Sequence, residues 1–388
     1  MRILLIILLL VSSQLSFGQE LRIGLFRTIK VSKLSVNQYQ GAYSIYGDTL
    51  LIGNLLNLEL TPVTNGVKAV LSNGRSYQFE TITIIQDSLN SSFKLQSTRP
   101  SSKLHYYRDN LEITNDNGRL RIVNLVDMNN YLGGVIESEG GGGRHQEFYR
   151  VQALMSRTYA MKNVNRHKSD GFYLCDGVHC QAYHNMLRHT ESINAAVEAT
   201  RGEVIVDNGN RLIASYFAAN CGGQTCDASY VWNNSVPFLE SFVDTFCIHT
   251  RQATWEKTVP KYKWKNYLQE TFGVREEVLG ELMYNFEQDQ RKAFYIHPSL
   301  GVPLRDLRSK FNLKSTYFST RLQGDNVVIS GRGFGHGVGL CQEGAMQMAK
   351  DGYSYKQIAY FYFSNVHIID YYRDRFFGQE ADSDSNAQ

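Results

Sequence analysis

The chain has 388 residues, a formal net charge of +3, and 43% hydrophobic and 12% aromatic residues. That length sets an expectation of two or three domains with a sizeable apolar core. Its weak, scattered positive charge excludes the basic stripe of a nucleic-acid-binding protein.

Arg2, the unbroken apolar run Ile3 to Val11, and small residues Ser16 and Gly18 at the minus-three and minus-one positions read as a signal peptide over 1–18. The run is less than half of the roughly 20 residues needed to cross a bilayer. The mature chain is therefore expected to begin at Gln19, to be exported to the periplasm or the extracellular space, and not to span a membrane. Residues 19–100 are expected to form a β-rich accessory domain. Segments 21–25 and 81–85 alternate, and Asn65-Gly66 and Asn73-Gly74 are hairpin-turn signals. A polar stretch at 96–102, containing Pro100, reads as a linker.

The remainder, 101–373, is expected to be a mixed α/β core, which makes the fold class α+β. A hairpin turns at Asn117-Gly118 and leads through a strand at 120–125. A helix is expected over 147–165, where Phe148, Val151, Leu154, Met155, Tyr159 and Met161 recur mostly at three- and four-residue spacing. Residues 202–246 read as β-rich. An insert at about 250–314 reads as mainly helical, with Trp264 and Tyr267 at helical spacing. Helices are expected at 342–350, ended by Asp351-Gly352, and at 355–363, followed by a strand ending near Tyr372. The small, polar and acidic residues 374–388 are expected to be a disordered tail.

Chemistry is expected first at Tyr131-Leu-Gly-Gly-Val-Ile-Glu-Ser-Glu139, where a short apolar turn ends on an acid and leads into the helix bearing Arg157 and Tyr159. A carboxyl with a raised pKa in a partly apolar cleft delivers a proton to a leaving oxygen near neutral pH. Glu137 competes with Glu139, but a spacing of two on a helix points it away from the face that Glu139 uses. The run Cys175-Asp-Gly-Val-His-Cys180, with His167 upstream, has zinc-ligand spacing. In an exported chain the same two cysteines also read as a disulfide. Cys221, Cys226, Cys247 and Cys341 remain. Either Cys221 or Cys226 pairs with Cys247 in the expected arrangement, Cys341 is a buried free thiol, and a Cys341/His336 nucleophilic pair is a rival reading. Glycines at 331–339 read as a tight loop that approaches a ligand closely, with no βαβ unit to make it a dinucleotide site.

Three segments, 131–139, 215–225 and 331–344, together resemble the bacterial stage II sporulation protein D and amidase-enhancer (SpoIID/LytB) family, which acts on peptidoglycan. The resemblance covers roughly 126–369 and leaves out the N-terminal β-rich region. It implies a SpoIID-like mixed α/β catalytic core, and it places Glu139 at the terminal Glu of the family pattern Tyr-Leu-x-Gly-Val-Val-x-x-Glu, the catalytic acid. The implied activity is a lytic transglycosylase acting on glycan strands stripped of stem peptides, with Glu139 as acid and then base, forming 1,6-anhydro-muramic acid ends. Implied substrate contacts are Arg157, Tyr159, Ser215, Tyr216, Asn220, His336 and Gln342. The implied metal set is a structural zinc on His167, Cys175 and Cys180, with His179 as the alternative histidine. The 24 tyrosines suit stacking on sugar rings as well as core positions. The family commonly follows the acid with Met-Pro and a Trp-Pro pair; here glycines at 140–143 and Arg144 follow, a run expected to add mobility and to remove anchoring side chains. That departure supports a rival function, a non-catalytic amidase enhancer that binds glycan and stimulates a cell-wall amidase. A third reading is a structural wall-binding protein.

Overall fold

The computed structural model describes residues 20–184 and 191–373. The expected signal peptide and acidic tail lie outside the described residues. Helices and strands both contribute, in several sheets, so the class is α+β.

Twelve strands come first: β1 (Glu20–Leu25), β2 (Lys33–Gln40), β3 (Tyr43–Gly47), β4 (Leu50–Asn54), β5 (Asn57–Val63) and β6 (Gly66–Leu71), then β7 (Ser76–Phe79), β8 (Thr81–Gln86), β9 (Ser92–Arg99), β10 (His105–Arg108), β11 (Asn110–Asp116) and β12 (Arg119–Asp127). One sheet takes the order β13-β1-β12-β11-β8-β3-β4, its edge strand β13 (Leu174–Cys175) coming from later in the chain, and the other β10-β9-β2-β5-β6-β7. Period-two alternation buries Leu34 and Val36 of β2, Leu58 and Leu60 of β5, and Ile82 and Ile84 of β8. Each such side chain contributes about 1.5–3 kcal/mol relative to exposure. Because β5 and β6 lie against β11 and β12, the sheets stack face to face.

The expected boundary near residue 100 is not where the chain divides. β1 pairs antiparallel with β12, from Glu20 opposite Asp127 to Leu25 opposite Ile122, and β11 joins β12 to β8. The first sheet thus crosses the supposed linker, and the β-rich region closes only at Asp127. Pairing between strands so distant in sequence leaves no local mark.

Asp127 ends β12 and caps α1 (Met128–Gly140), its carboxylate accepting from Asn129 N–H at 2.8 Å. The expected turn at 131–139 is therefore helical, with Tyr131, Leu132, Val135 and Ile136 on its buried face. The helix expected at 147–165 is α2 (Gln146–Lys162). Every position from Phe148 to Met161 except Arg150 is buried, because α1, α3 (Glu191–Ala199) and β14 (Glu203–Asp207) pack around it.

After β15 (Phe217–Ala218) and α4 (Ala228–Trp232), the insert departs from expectation. It runs through β16 (Thr254–Pro260), α5 (Lys261–Phe272), α6 (Glu276–Leu279), α7 (Leu304–Lys310), β17 (Phe318–Gln323) and β18 (Asn326–Arg332). A three-stranded antiparallel sheet, β16-β18-β17, backs these helices, so the unit is mixed and extends to Arg332. It has its own apolar core, in which fully buried Trp264 stacks on Phe311 at 4.8 Å. The chain closes with β19 (Leu340–Cys341), α8 (Gln342–Lys350), α9 (Tyr355–Tyr362) and β20 (Val366–Asp370). Two late pairings tie this end back: β15 lies parallel to β19, and β20 antiparallel to β14. No helix among the described residues is long and apolar enough to cross a membrane.

Candidate active site

Glu139 sits in the last turn of α1, two residues before Gly141, which closes that helix. Its side chain faces a cavity of about 360 Å³ that Tyr159, Arg166, Gln181, Tyr216, Trp232 and His336 also line. Burial pushes the carboxyl above its ordinary value, against the opposing pull of the Ala182 N–H and of His184. The negative pole at a helix C-terminus acts in the same upward direction. Glu139 Oε1 accepts from Ala182 N–H at 2.9 Å, and Ser138 Oγ accepts from His184 N–H at 3.1 Å, so the 182–184 segment is docked on the end of α1. Glu137 does not line the cavity, and among the described lining residues Glu139 is the one carboxyl.

The glycine run after Glu139 is held in place. A Cβ at Gly140 would sit 2.8 Å from the Phe148 ring, so the close approach of α2 requires glycine there. Arg144 Nε donates to the Gly140 carbonyl at 3.1 Å, and Arg144 N–H donates to Tyr149 Oη at 2.9 Å. Tyr149 in turn donates to the Gly141 carbonyl at 3.2 Å. Arg144 and Tyr149 supply the anchoring that the sequence pattern lacks.

Opposite Glu139 stands an aromatic wall. Tyr216 and Trp232 lie 4.4 Å apart between ring centres at 32°, and His336 packs 5.4 Å from Trp232. The wall is built by backbone approach: at Gly339, φ is 72° and a Cβ would collide with the Tyr216 carbonyl, while Leu340 N–H donates to that carbonyl at 3.0 Å. Burial, reinforced by the positive charges of Arg308 and Arg291, holds the His336 imidazole at about 4. His336 is thus neutral near pH 7, with Nδ1 accepting from Val338 N–H at 3.0 Å. It shapes the wall and does not serve as an acid.

Several expected contacts lie elsewhere. Arg157 is buried between α2 and α3, where it donates to the carbonyls of Thr200 at 2.7 Å, Val197 at 3.2 Å and Glu203 at 3.2 Å. Asn220 is buried and donates to the Cys247 carbonyl, Thr250 and Glu343. Gln342 is buried and donates to Gln152. All three hold the fold, and none lines the cavity. Ser215 does line it, but its hydroxyl is committed to the Met155 carbonyl at 2.9 Å. Tyr159 Oη accepts from Arg166 at 2.6 Å.

Trp232, Arg166 and Gln181 were not singled out from sequence. Gln181 is the most informative. Tyr131 donates to its Oε1 at 3.2 Å, whereas its buried Nε2 has no partner among the described residues, which leaves a donor free beside the cavity. Its position directly after Cys180 was the available signal. A larger cavity of about 430 Å³ between β1 and β12 is lined by Arg119 and Asp116, 2.7 Å apart, and by Arg27 and Asp170, 3.8 Å apart. Its third arginine, Arg121, donates to Thr114 and to the Asp170 carbonyl, and Arg119 holds the Asp116 carboxyl below its ordinary value, so the smaller cavity with its raised carboxyl is where chemistry is expected.

At the rim, the ligating atoms of His167, Cys175, His179 and Cys180 all lie within 4.8 Å of one another. His167 Nε2 is 3.3 Å from His179 Nδ1 and 3.4 Å from Cys180 Sγ, and His179 Nδ1 is 3.8 Å from Cys175 Sγ. A tetrahedral zinc with bonds of about 2.0–2.3 Å has ligand-to-ligand edges of about 3.3–3.8 Å, so this set can hold zinc. His179 stands in the cluster together with His167, so the set offers four ligating groups. Asp170 Oδ2 lies 2.9 Å from the far nitrogen of His167, the carboxylate support that metal-binding histidines commonly have. The loop is seated by the N-terminal sheet: Leu174–Cys175 runs parallel to β1, with Cys175 opposite Gly24, and Phe26 N–H donates to Asp176 at 2.7 Å.

Residues 116–206, which span α1, α2 and this loop, match the SpoIID family model, "Stage II sporulation protein". Over that stretch the chain is similar to the SpoIID/LytB family. It is 28% identical to stage II sporulation protein D of Bacillus subtilis over 271 residues, 63% of this chain and 75% of that one. It is 26% identical to the amidase enhancer of the same organism over 295 residues, 62% of this chain and 40% of that one. An uncharacterized protein of Brachyspira hyodysenteriae is 28% identical across 81% of this chain and 85% of its own length. That last match extends further along the chain than the other two.

Proposed function

We propose that this protein is an exported lytic transglycosylase that cleaves the glycan strands of peptidoglycan, with Glu139 as general acid and then general base. Similarity to the SpoIID family supports a cell-wall-related role. The observation that carries the finer reading is the single carboxyl, raised by burial, facing an aromatic-walled cavity. Hydrolases that retain or invert use two carboxyl groups about 5–9.5 Å apart. A transglycosylase needs one, because the nucleophile belongs to the sugar. Protonated Glu139 gives its proton to the glycosidic oxygen as the C1–O bond breaks. The resulting carboxylate takes the proton of the muramic acid C6 hydroxyl as that oxygen bonds to C1, which closes the 1,6-anhydro ring and restores the acid.

Tyr216 and Trp232 offer ring faces for sugars, and Gln181 Nε2 a donor for an acetamide carbonyl. We infer that His167, Cys175, His179 and Cys180 hold a structural zinc, since four protein ligands leave no open position. In that role zinc supplies a cross-link, and the pinned loop presents the Ala182 N–H to Glu139. The test is incubation of the mature chain and its Glu139→Gln variant with peptide-free glycan strands, read by mass spectrometry. Anhydro-muramic acid ends from wild type alone are expected. Glycan binding without ends from either protein would overturn the enzyme in favour of an amidase enhancer, and absence of both would favour a structural wall protein.

A further inference from the structure

Behind the aromatic wall lies a second convergence of ligating groups. Cys221, Asp244, Cys247 and Cys341 are all buried, and their ligating atoms lie within 4.8 Å of one another. Cys221 Sγ is 3.4 Å from Cys247 Sγ and 3.2 Å from Asp244 Oδ2. These are close to the edges of a tetrahedron around zinc. We propose that Cys221, Cys247, Cys341 and Asp244 form a second, thiolate-rich structural metal centre that takes zinc.

Three features support it. First, the surroundings are those of a site for anionic ligands. Cys221 N–H and Gly344 N–H both point to Cys341 Sγ, at 3.2 and 3.4 Å, and Cys341 caps the N-terminus of α8, where the helix field favours a thiolate. Tyr362 Oη donates to Asp244 Oδ2 at 2.9 Å, and Phe246 N–H to Oδ1 at 3.0 Å, which orients the carboxylate as outer-shell partners orient metal ligands. Second, among the described residues no basic side chain pairs with Asp244, so a buried acid beside three sulfurs lacks a counter-charge that a divalent cation would supply. Third, the numbers favour a metal over a bridge. A Cys221–Cys247 disulfide would use two sulfurs and leave Cys341 and Asp244 facing it, whereas a tetrahedral ion uses all four groups. Cys226, the other expected partner of Cys247, lies outside the cluster. Cys341 is likewise turned away from the cavity that His336 lines, so the two do not form a nucleophilic pair.

The ligands come from three chain segments: the turn at 220–223, the loop at 244–247 and the start of α8. Binding would release the thiol protons and lock those segments together directly behind β15 and β19, which carry Tyr216 and the 331–339 loop into the aromatic wall. This centre is independent of the set at the rim.

The test is zinc stoichiometry by native mass spectrometry and elemental analysis on the full mature chain. The variants are Cys175→Ser/Cys180→Ser for the rim site and Cys221→Ser for the buried one. Two zinc ions are expected in wild type, and one in each variant. If the rim set holds no zinc, wild type carries one ion that Cys175→Ser/Cys180→Ser keeps, and the buried centre still stands. Should Cys221→Ser not fold, the rim double variant decides alone, because it must retain one zinc that thiol modification releases. No zinc in that folded double variant, or a Cys221–Cys247 disulfide found by peptide mapping of wild type, overturns the proposal.

Discussion

Glu139 and Arg157 stand on adjacent helices, both belong to motifs that suggest site residues, and they end in opposite conditions. Arg157 is 2% exposed and meets the carbonyls of Val197, Thr200 and Glu203, so its donors face main chain. Burial lowers its guanidinium to about 10, which still leaves it charged near neutral pH. Among the described residues Glu139 accepts one hydrogen bond, from Ala182, and it faces the cavity. What separates a reacting group from a fold-holding one here is spare hydrogen-bonding capacity directed at open space. Residue type and motif membership do not distinguish them.

Four measurements would break or sharpen that contrast. The largest effect belongs to Glu139→Gln: formation of anhydro ends should fall about 10²–10⁴-fold, the usual contribution of a general acid or base, with glycan binding retained. Retained turnover would remove Glu139 from the chemistry. Arg157→Met should act on stability instead, by about 3 kcal/mol or more in urea unfolding, because it leaves several buried carbonyls without donors. Turnover per folded molecule should stay near wild type, and a stable variant with raised KM would return Arg157 to the binding surface. Trp232→Ala removes a half-exposed face of the aromatic wall. It should raise KM roughly 3–10-fold with little change in kcat, in keeping with about 0.5–1.5 kcal/mol for an aromatic contact.

The smallest effect is the pH dependence of stability. The folded pKa of Glu139 is raised, so the native state binds more protons than the unfolded chain between the ordinary carboxyl value of 4.5 and the raised one. Stability from this group is therefore complete below that window and falls as pH rises through it. Glu139→Gln should cancel the loss, so the variant's melting temperature at pH 8 should equal or exceed that of wild type while the two converge toward pH 4. A variant less stable than wild type at pH 8 would mean that Glu139 holds the fold, as Arg157 does.

Much of the helical framework was legible because its signals are local. The three- and four-residue recurrence at 147–165 marks α2 within a few residues, and Ser354 with Gln357 forms the capping box that starts α9. The glycines at 331–339 read correctly as a close-approach loop, since four of them adopt positive φ. The β-rich start was visible as alternation, but its true extent to Asp127 was not, because the β1–β12 register joins strands at opposite ends of the region. The same limit hid the sheet inside the insert, where β16 and β18 pair across more than sixty residues.

By itself, then, the sequence determined which short stretches become helices and hairpins and which motifs carry reactive residue types, because helical periodicity, caps and turns act over a few residues. Only the tertiary structure decided how those types are used. It brought Trp232, Arg166 and Gln181 to Glu139, turned Arg157, Asn220 and Gln342 into buried donors, added His179 to the rim cluster, and gathered Cys221, Asp244, Cys247 and Cys341 from three separate segments. Those outcomes depend on side-chain direction and on the packing of distant segments, and no local pattern encodes either.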